Sequence, residues 1–315
     1  MKTKFAIGCL VQWYEVELIS EYIETLKEAV DHYDGEVVVN FVICANQNLE
    51  KCTTDDKLFD CIKTISDKID DNFEKLWNLT HTIHTIADYR REFNDKFCEE
   101  VDVLVWGESD MLVPKQMFTS LDNLHQNVDT PKYIATFATC KMWDASWKQL
   151  EHVEFTDKPF IEGDSKNWWN IPYTMTKDEM NSFNDKVDVL DVSTISPHKF
   201  NGCGLVISSE VIKAGVNIPR SVFFIHEDTA FMKVVQTLLG NIPQYHFKNI
   251  LLVHNRKHPK KRMYVLGEDS DGYIDDNRKS NDWYNVANKF CEQNAYNLFN
   301  PNYKSHNWKD VWNTL

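Results

Sequence analysis

The stretch Glu36–Ala45 (EVVVNFVICA) constrains the fold of this chain more than any other. It is a near-continuous run of β-branched and aromatic residues with no alternation of apolar and polar positions. That is the pattern of a strand covered on both faces, which places it in a parallel sheet between helical layers. Val101–Trp106 (VDVLVW) and Phe5–Val11, the latter interrupted by Gly8, read the same way. Between the first two strands, Glu15–Val30 carries Leu18, Ile19, Tyr22, Ile23, Leu26 and Ala29 at helical spacing. Between the next two, a helical region is expected from about Lys57 to Cys98, in two pieces. Strands joined by such long crossovers predict a doubly covered α/β sheet, whose ligands bind beyond the carboxyl ends of the strands. The chemistry is therefore expected just after Ala45 and just after Trp106.

Further on, Lys132–Phe137, Gly204–Ile207 and Ile250–Val253 read as strands. Ser208–Ala214 reads as a short helix, and Asp228–Leu239 as an amphipathic one with Phe231, Val234, Val235 and Leu238 on one stripe. From about Gly267 the chain turns polar and aromatic, and a helical C-terminal appendage is expected. The division is then residues 1–265 as the main domain and 266–315 as an extension packed on it. The 315 residues carry a formal charge of −14, which argues against a surface built to hold nucleic acid. None of the eight cysteines forms a CxxC pair, so a zinc site is not expected, and Cys9, Cys44, Cys140 and Cys203 read as small buried thiols. No run is long enough to span a membrane, and Phe5–Val11 is too short for a signal segment, so a cytoplasmic protein is expected.

The residues with most chemistry in them come directly after Trp106: Gly107-Glu108-Ser109-Asp110-Met111-Leu112-Val113-Pro114. Two carboxylates one residue apart, in the turn leaving a buried parallel strand, can hold a hard divalent cation with coordination sites left over for a diphosphate. A plain polar turn, with Asp110 helping to cap the next helix, is the alternative. Glu227-Asp228 forms a second acidic pair, where Asp228 is either a general base or only the cap of its helix. His254 stands at the mouth of the last strand, with His258 as its rival. Trp143, Trp147, Trp168 and Trp169 lie in a polar stretch, as core filling or as stacking faces for a sugar or base. Arg256–Arg262 is the one dense basic run, either a solvated loop or a cover for an anion.

These segments together resemble the GT-A glycosyltransferases, especially the inverting family 2 group. Glu108-Ser109-Asp110 resembles that family's DxD element and Phe5–Glu15 its first strand and nucleotide-contacting turn. Phe200–Glu210 resembles its glycine-bearing acceptor-side strand, and Phe224–Phe231 its xED element. The resemblance spans roughly residues 4–258. It implies a GT-A fold, a mostly parallel central sheet flanked by helices, and sugar transfer from a nucleoside-diphosphate sugar with Mn²⁺ or Mg²⁺. It implies Asp110 and Glu108 at the metal and donor, His254 in the metal shell, and Asp228 beside Glu227 as the catalytic base. Val11, Asn46 and Arg91, with Arg90 beside it, would lie on the donor side, and Gly202, Trp168 and Trp169 on the acceptor side. The sequence departs from the family in having Glu108 for the first Asp and Asn46 for an acidic residue that touches the base. It also has Val11-Gln12-Trp13-Tyr14 for the usual Pro and Asn. The acceptor is open: a glycan, a protein side chain, or a modified phage DNA base, the last disfavoured by the charge. The rivals are a sugar-phosphate nucleotidyltransferase, which needs a glycine-rich basic loop absent from Cys9–Glu15, and a catalytically silent carbohydrate-binding protein.

Overall fold

The computed structural model describes residues 1–12, 15, 19–44, 55–78, 84–139, 142–143, 149–150, 176–195, 202–254 and 282–315. Its first half alternates strand and helix: β1 (Phe5–Gln12), α1 (Ile19–Asp31), β2 (Val37–Cys44), α2 (Asp55–Lys68), β3 (Glu74–Asn78), α3 (Ile86–Phe97) and β4 (Val103–Trp106). The pairings β3–β2, β2–β1 and β1–β4 are all parallel. The region expected to be wholly helical between Lys57 and Cys98 is thus α2, a strand and α3. Sequence pattern hides this strand because β3 is an edge strand with a polar start, and Leu76 and Trp77 on it are exposed.

The second half turns the sheet mixed. It comprises β5 (Met111–Leu112), α4 (Met117–Asn127), β6 (Ile134–Thr139), the small antiparallel pair β7 (Met142–Trp143) and β8 (Gln149–Leu150), α5 (Lys177–Asn184) and β9 (Val192–Thr194). After these come β10 (Val206–Ser208), α6 (Ser209–Lys213), α7 (Glu227–Leu238) and β11 (Gln244–His254). The main sheet runs β3-β2-β1-β4-β10-β6-β11-β5, with β9 also on β11. β10 is antiparallel to both its neighbours, β6 and β11 are parallel, and β5 is antiparallel to β11.

Side chains alternate across β1 and so divide the core into two. Phe5, Ile7, Cys9 and Val11 pack under α1, α2 and α4, while Ala6 and Leu10 pack under α3, α6 and α7. This is the helix–sheet–helix arrangement expected from Glu36–Ala45. The C-terminal region is helical, as α8 (Asp282–Tyr296) and α9 (Trp308–Thr314). Trp283, Ala287, Cys291 and Val311 form one apolar cluster with Phe223, just ahead of α7. Asn294 donates to the Ser221 carbonyl at 2.6 Å, and Lys233 of α7 donates to the Ala295 carbonyl at 3.2 Å. The expected division at residue 265 lies outside the described residues. Among the described residues no helix is long and apolar enough to cross a membrane.

Candidate functional site

β1 and β4 end side by side, and the turn after β4 is fastened at several points. Gly107 donates its N–H to the Gly8 carbonyl at 2.8 Å, and Met111 N–H closes on the Glu108 carbonyl at 3.0 Å. Ser109 Oγ donates to Glu15 Oε1 at 2.7 Å, while Glu15 Oε2 accepts the N–H of Gln12, also at 2.7 Å. Glu15 therefore ties the end of β1 to the acidic turn, with Glu108 and Asp110 on either side of the anchored serine.

The ladder between β5 and β11 brings the histidine to this turn, because Met111 pairs with His254 and Leu112 with Val253. His254 Nε2 lies 3.0 Å from Glu108 Oε2 and 3.3 Å from Asp110 Oδ1. These are hydrogen-bonded ion-pair distances, and they bring two carboxylates onto one imidazole nitrogen. Asp110 is buried, at 7% exposure, rather than facing an open turn as a plain polar loop would.

Arg90 joins this turn to the second acidic pair. It is 2% exposed, and its guanidinium lies 4.7 Å from the centre of the Trp106 ring. Nη2 donates to Glu108 Oε1 at 2.7 Å and to the Gly202 carbonyl at 3.1 Å, and Nη1 donates to Glu227 Oε1. A Cβ on Gly202 would stand 2.6 Å from Nη1, so only glycine leaves room for the guanidinium there. Burying an ion costs several kcal/mol, which is recovered here only because both Nη groups reach carboxylates. Burial works against the arginine's charge, yet Glu227 and then Glu108 more than offset it, and its pKa is raised.

The two glutamates respond oppositely. Burial would push Glu108 up, but His254 and then Arg90 overcome it and bring its pKa down to about 2. Glu227 is pushed up by burial, with Arg90 pulling the other way and Asp228 adding to the rise. Asp228 is half-buried; its Oδ1 accepts the Thr229 N–H at 2.6 Å. Three carboxylates, Glu108, Glu227 and Asp228, thus act on a single guanidinium, and a fourth, Asp110, lies beside them on His254. That excess of negative charge fits a divalent cation, and carboxylate oxygen with imidazole nitrogen is a donor set suited to Mn²⁺ or Mg²⁺.

Three sequence expectations change. Arg91, expected on the donor side, instead donates to the backbone carbonyls of Ile218, Pro219 and Val222 and to Asp88, and so clamps a loop. Arg90 takes the place in the site, and helical spacing holds the signal: it shares the buried face of α3 with Ala87, Phe93, Asn94 and Phe97. Asp228 is not a helix cap; α7 begins at Glu227 after His226, which has φ 65° and makes no side-chain cap. Val11 is wholly buried among core residues, so its side chain faces the core and Gln12 ends the strand. Gly202 sits at the site through its carbonyl. Asn46, Trp168, Trp169, Trp147, His258 and the basic run 256–262 lie outside the described residues, as does the side chain of Trp143.

No protein-family model matches the sequence, and no curated protein matches it. Among solved structures, the chain is similar to S. aureus TarS (residues 1–349) in complex with UDP, at 13% identity and a TM-score of 0.42. The match covers 77% of this chain and 60% of that one. It is also similar to glucosyl-3-phosphoglycerate synthase from Mycobacterium tuberculosis in complex with Mn²⁺, UDP and glucosyl-3-phosphoglycerate, at 11% identity and a TM-score of 0.44. That match covers 84% of this chain and 76% of the other.

Proposed function

We propose that this chain is a GT-A glycosyltransferase that moves a sugar from a nucleoside-diphosphate donor to a hydroxyl acceptor with inversion, using Mn²⁺ or Mg²⁺. One observation carries the reading: Arg90 joins Glu108 of the acidic turn to Glu227 of the second acidic pair, while His254 closes on Glu108 and Asp110. Segments far apart in sequence thereby form one site at the carboxyl ends of β1 and β4, where an α/β sheet binds ligands.

Glu108, Asp110 and His254 would hold the cation, which when bound neutralises charge on the departing nucleoside diphosphate. Arg90 fixes Glu108 and Glu227 and balances part of their charge. Glu227 is tied to that guanidinium, so the proton acceptor is Asp228. As the acceptor oxygen bonds to the anomeric carbon, the carbon–phosphate oxygen bond breaks and the hydroxyl proton passes to the Asp228 carboxylate. Placing one glutamate of each acidic pair on a different Nη group of one arginine would separate the leaving-group side from the base side, as in-line displacement requires.

The test is a panel of nucleotide sugars with and without Mn²⁺, read as thermal stabilisation and as release of nucleoside diphosphate. At a ligand concentration of about 100 Kd, binding should stabilise the chain by about 2.7 kcal/mol. Metal-dependent stabilisation with turnover supports the proposal. Stabilisation by a sugar without any turnover supports the silent carbohydrate-binding protein instead, and no response to any donor refutes glycosyl transfer.

A further inference from the structure

The turn bearing Gly202 brings a third kind of ligand to the cation site. Glu108, Cys203 and His254 each present a ligand atom, and the carboxylate oxygen, Sγ and imidazole nitrogen all lie within 4.8 Å of one another. Among the described residues this is the one grouping of three such side chains. The other described cysteines, Cys9, Cys44, Cys61, Cys98 and Cys291, belong to none.

The backbone dictates where the sulfur goes. The Gly202 carbonyl is held by Arg90 at 3.1 Å, and the Gly204 N–H by the Trp106 carbonyl at 2.9 Å. Gly204 has φ +69°, a conformation that side-chain-bearing residues rarely adopt, and it packs on Leu252 and Met111 beside His254. Cys203 is pinned between these two glycines, 3% exposed, against the end of β4 where Glu108 begins the acidic turn. Ligands at about 2.0–2.3 Å from a tetrahedral ion stand about 3.4–3.7 Å apart, so rotamer adjustments of about 1 Å complete the shell.

Sulfur at this place discriminates between metals. Mg²⁺ takes oxygen ligands, and a thiolate adds little to its binding, whereas Co²⁺, Zn²⁺ and Cd²⁺ gain a strong bond. We propose that Cys203 ligates the cation held by Glu108 and His254, so that the site prefers thiolate-accepting divalent ions to Mg²⁺. The thiol proton is released to solvent as the sulfur–metal bond forms. This rests on the reading of Glu108, Asp110 and His254 as a metal site.

The experiment titrates Co²⁺ into the full chain and into Cys203→Ser, following the near-ultraviolet charge-transfer absorption that a sulfur–cobalt bond produces. The wild-type chain should show the band in proportion to bound Co²⁺. Cys203→Ser should lose it, bind Co²⁺ at least about 10-fold more weakly, and change little toward Mg²⁺. X-ray absorption of the Zn²⁺-loaded wild-type chain, which needs no variant, should find one sulfur at about 2.3 Å. A first shell of only nitrogen and oxygen, or a band that persists in Cys203→Ser, overturns the proposal. Mn²⁺-dependent binding of a nucleoside diphosphate, measured on the same samples, separates the two readings. Diphosphate binding without the sulfur bond rejects Cys203 alone. A sulfur bond without diphosphate binding upholds Cys203 and rejects the donor reading.

Discussion

The two acidic pairs, Glu108 with Asp110 and Glu227 with Asp228, share Arg90 but are built on different supports. In the first pair both carboxylates lie within 3.3 Å of His254, on a turn locked to β1 through Glu15 and to β11 through the β5 ladder. In the second pair, among the described residues, only Glu227 forms an ion pair, while Asp228 is half-buried and accepts from the neighbouring Thr229. Its support comes from the C-terminal region: His226, in the left-handed conformation, has Nε2 2.8 Å from Asn288 Oδ1 on α8. The contrast shows one arginine bridging two acidic pairs with different surroundings, to which the proposed function gives different roles. A rigid, histidine-backed pair suits holding a cation, and an aspartate with no cation bonded to it among the described residues suits accepting a proton.

The largest expected effect breaks the second pair. Asp228→Asn keeps the acceptor for the Thr229 N–H but removes proton acceptance. Turnover should fall by a factor of about 10² to 10⁴ with donor affinity unchanged. Paired turnover and calorimetry on the same variant check it, and near-normal turnover would remove Asp228 from the chemistry. Next, Arg90→Met breaks the link between the pairs and leaves Glu108 and Glu227 without their shared partner. Stripping one member from a buried ion pair costs about 3–5 kcal/mol, so denaturant unfolding should show a loss of that order. A loss below about 1 kcal/mol, the usual worth of a surface pair, would mean the cluster is more hydrated than its burial implies. The smallest effect sharpens the difference in support. Asn288→Ala should lower stability by about 1 kcal/mol, the worth of one hydrogen bond, and slow turnover while leaving metal affinity intact. An equal loss of metal affinity would show that α8 supports both pairs.

Much of this arrangement is legible along the chain, and what is not has physical reasons. Glu36–Ala45, Val101–Trp106 and Phe5–Val11 announce themselves as strands because burial on both faces leaves little that is polar in them. β3 does not, since an edge strand tolerates Glu74 and Lys75 and leaves Trp77 exposed. The acidic pairs are visible as local motifs, but their meeting depends on pairing between β5 and β11 and on Arg90, and no local window contains either. Family resemblance points to the pair Arg90-Arg91 without separating them, and Arg91 is the one expected at the donor, although spacing from Ala87 to Phe97 places Arg90 on the buried stripe of α3. An arginine on such a stripe needs carboxylate partners, which is itself a pointer to the site. Cys203 reads as a core thiol and is one, packed in the apolar cluster under α1 and α4; what the sequence hides is that Glu108 and His254 also lie near its sulfur.

The most direct test of the central claim is calorimetric titration of a nucleoside diphosphate into the chain with and without Mn²⁺, repeated on Asp110→Asn and His254→Ala. The account predicts binding that requires Mn²⁺ in the wild-type chain. It predicts affinity weaker by at least about 10-fold in each variant, because each removes a group that holds the cation. Binding of equal strength without Mn²⁺, or unchanged in both variants, would contradict a metal centre built from Glu108, Asp110 and His254.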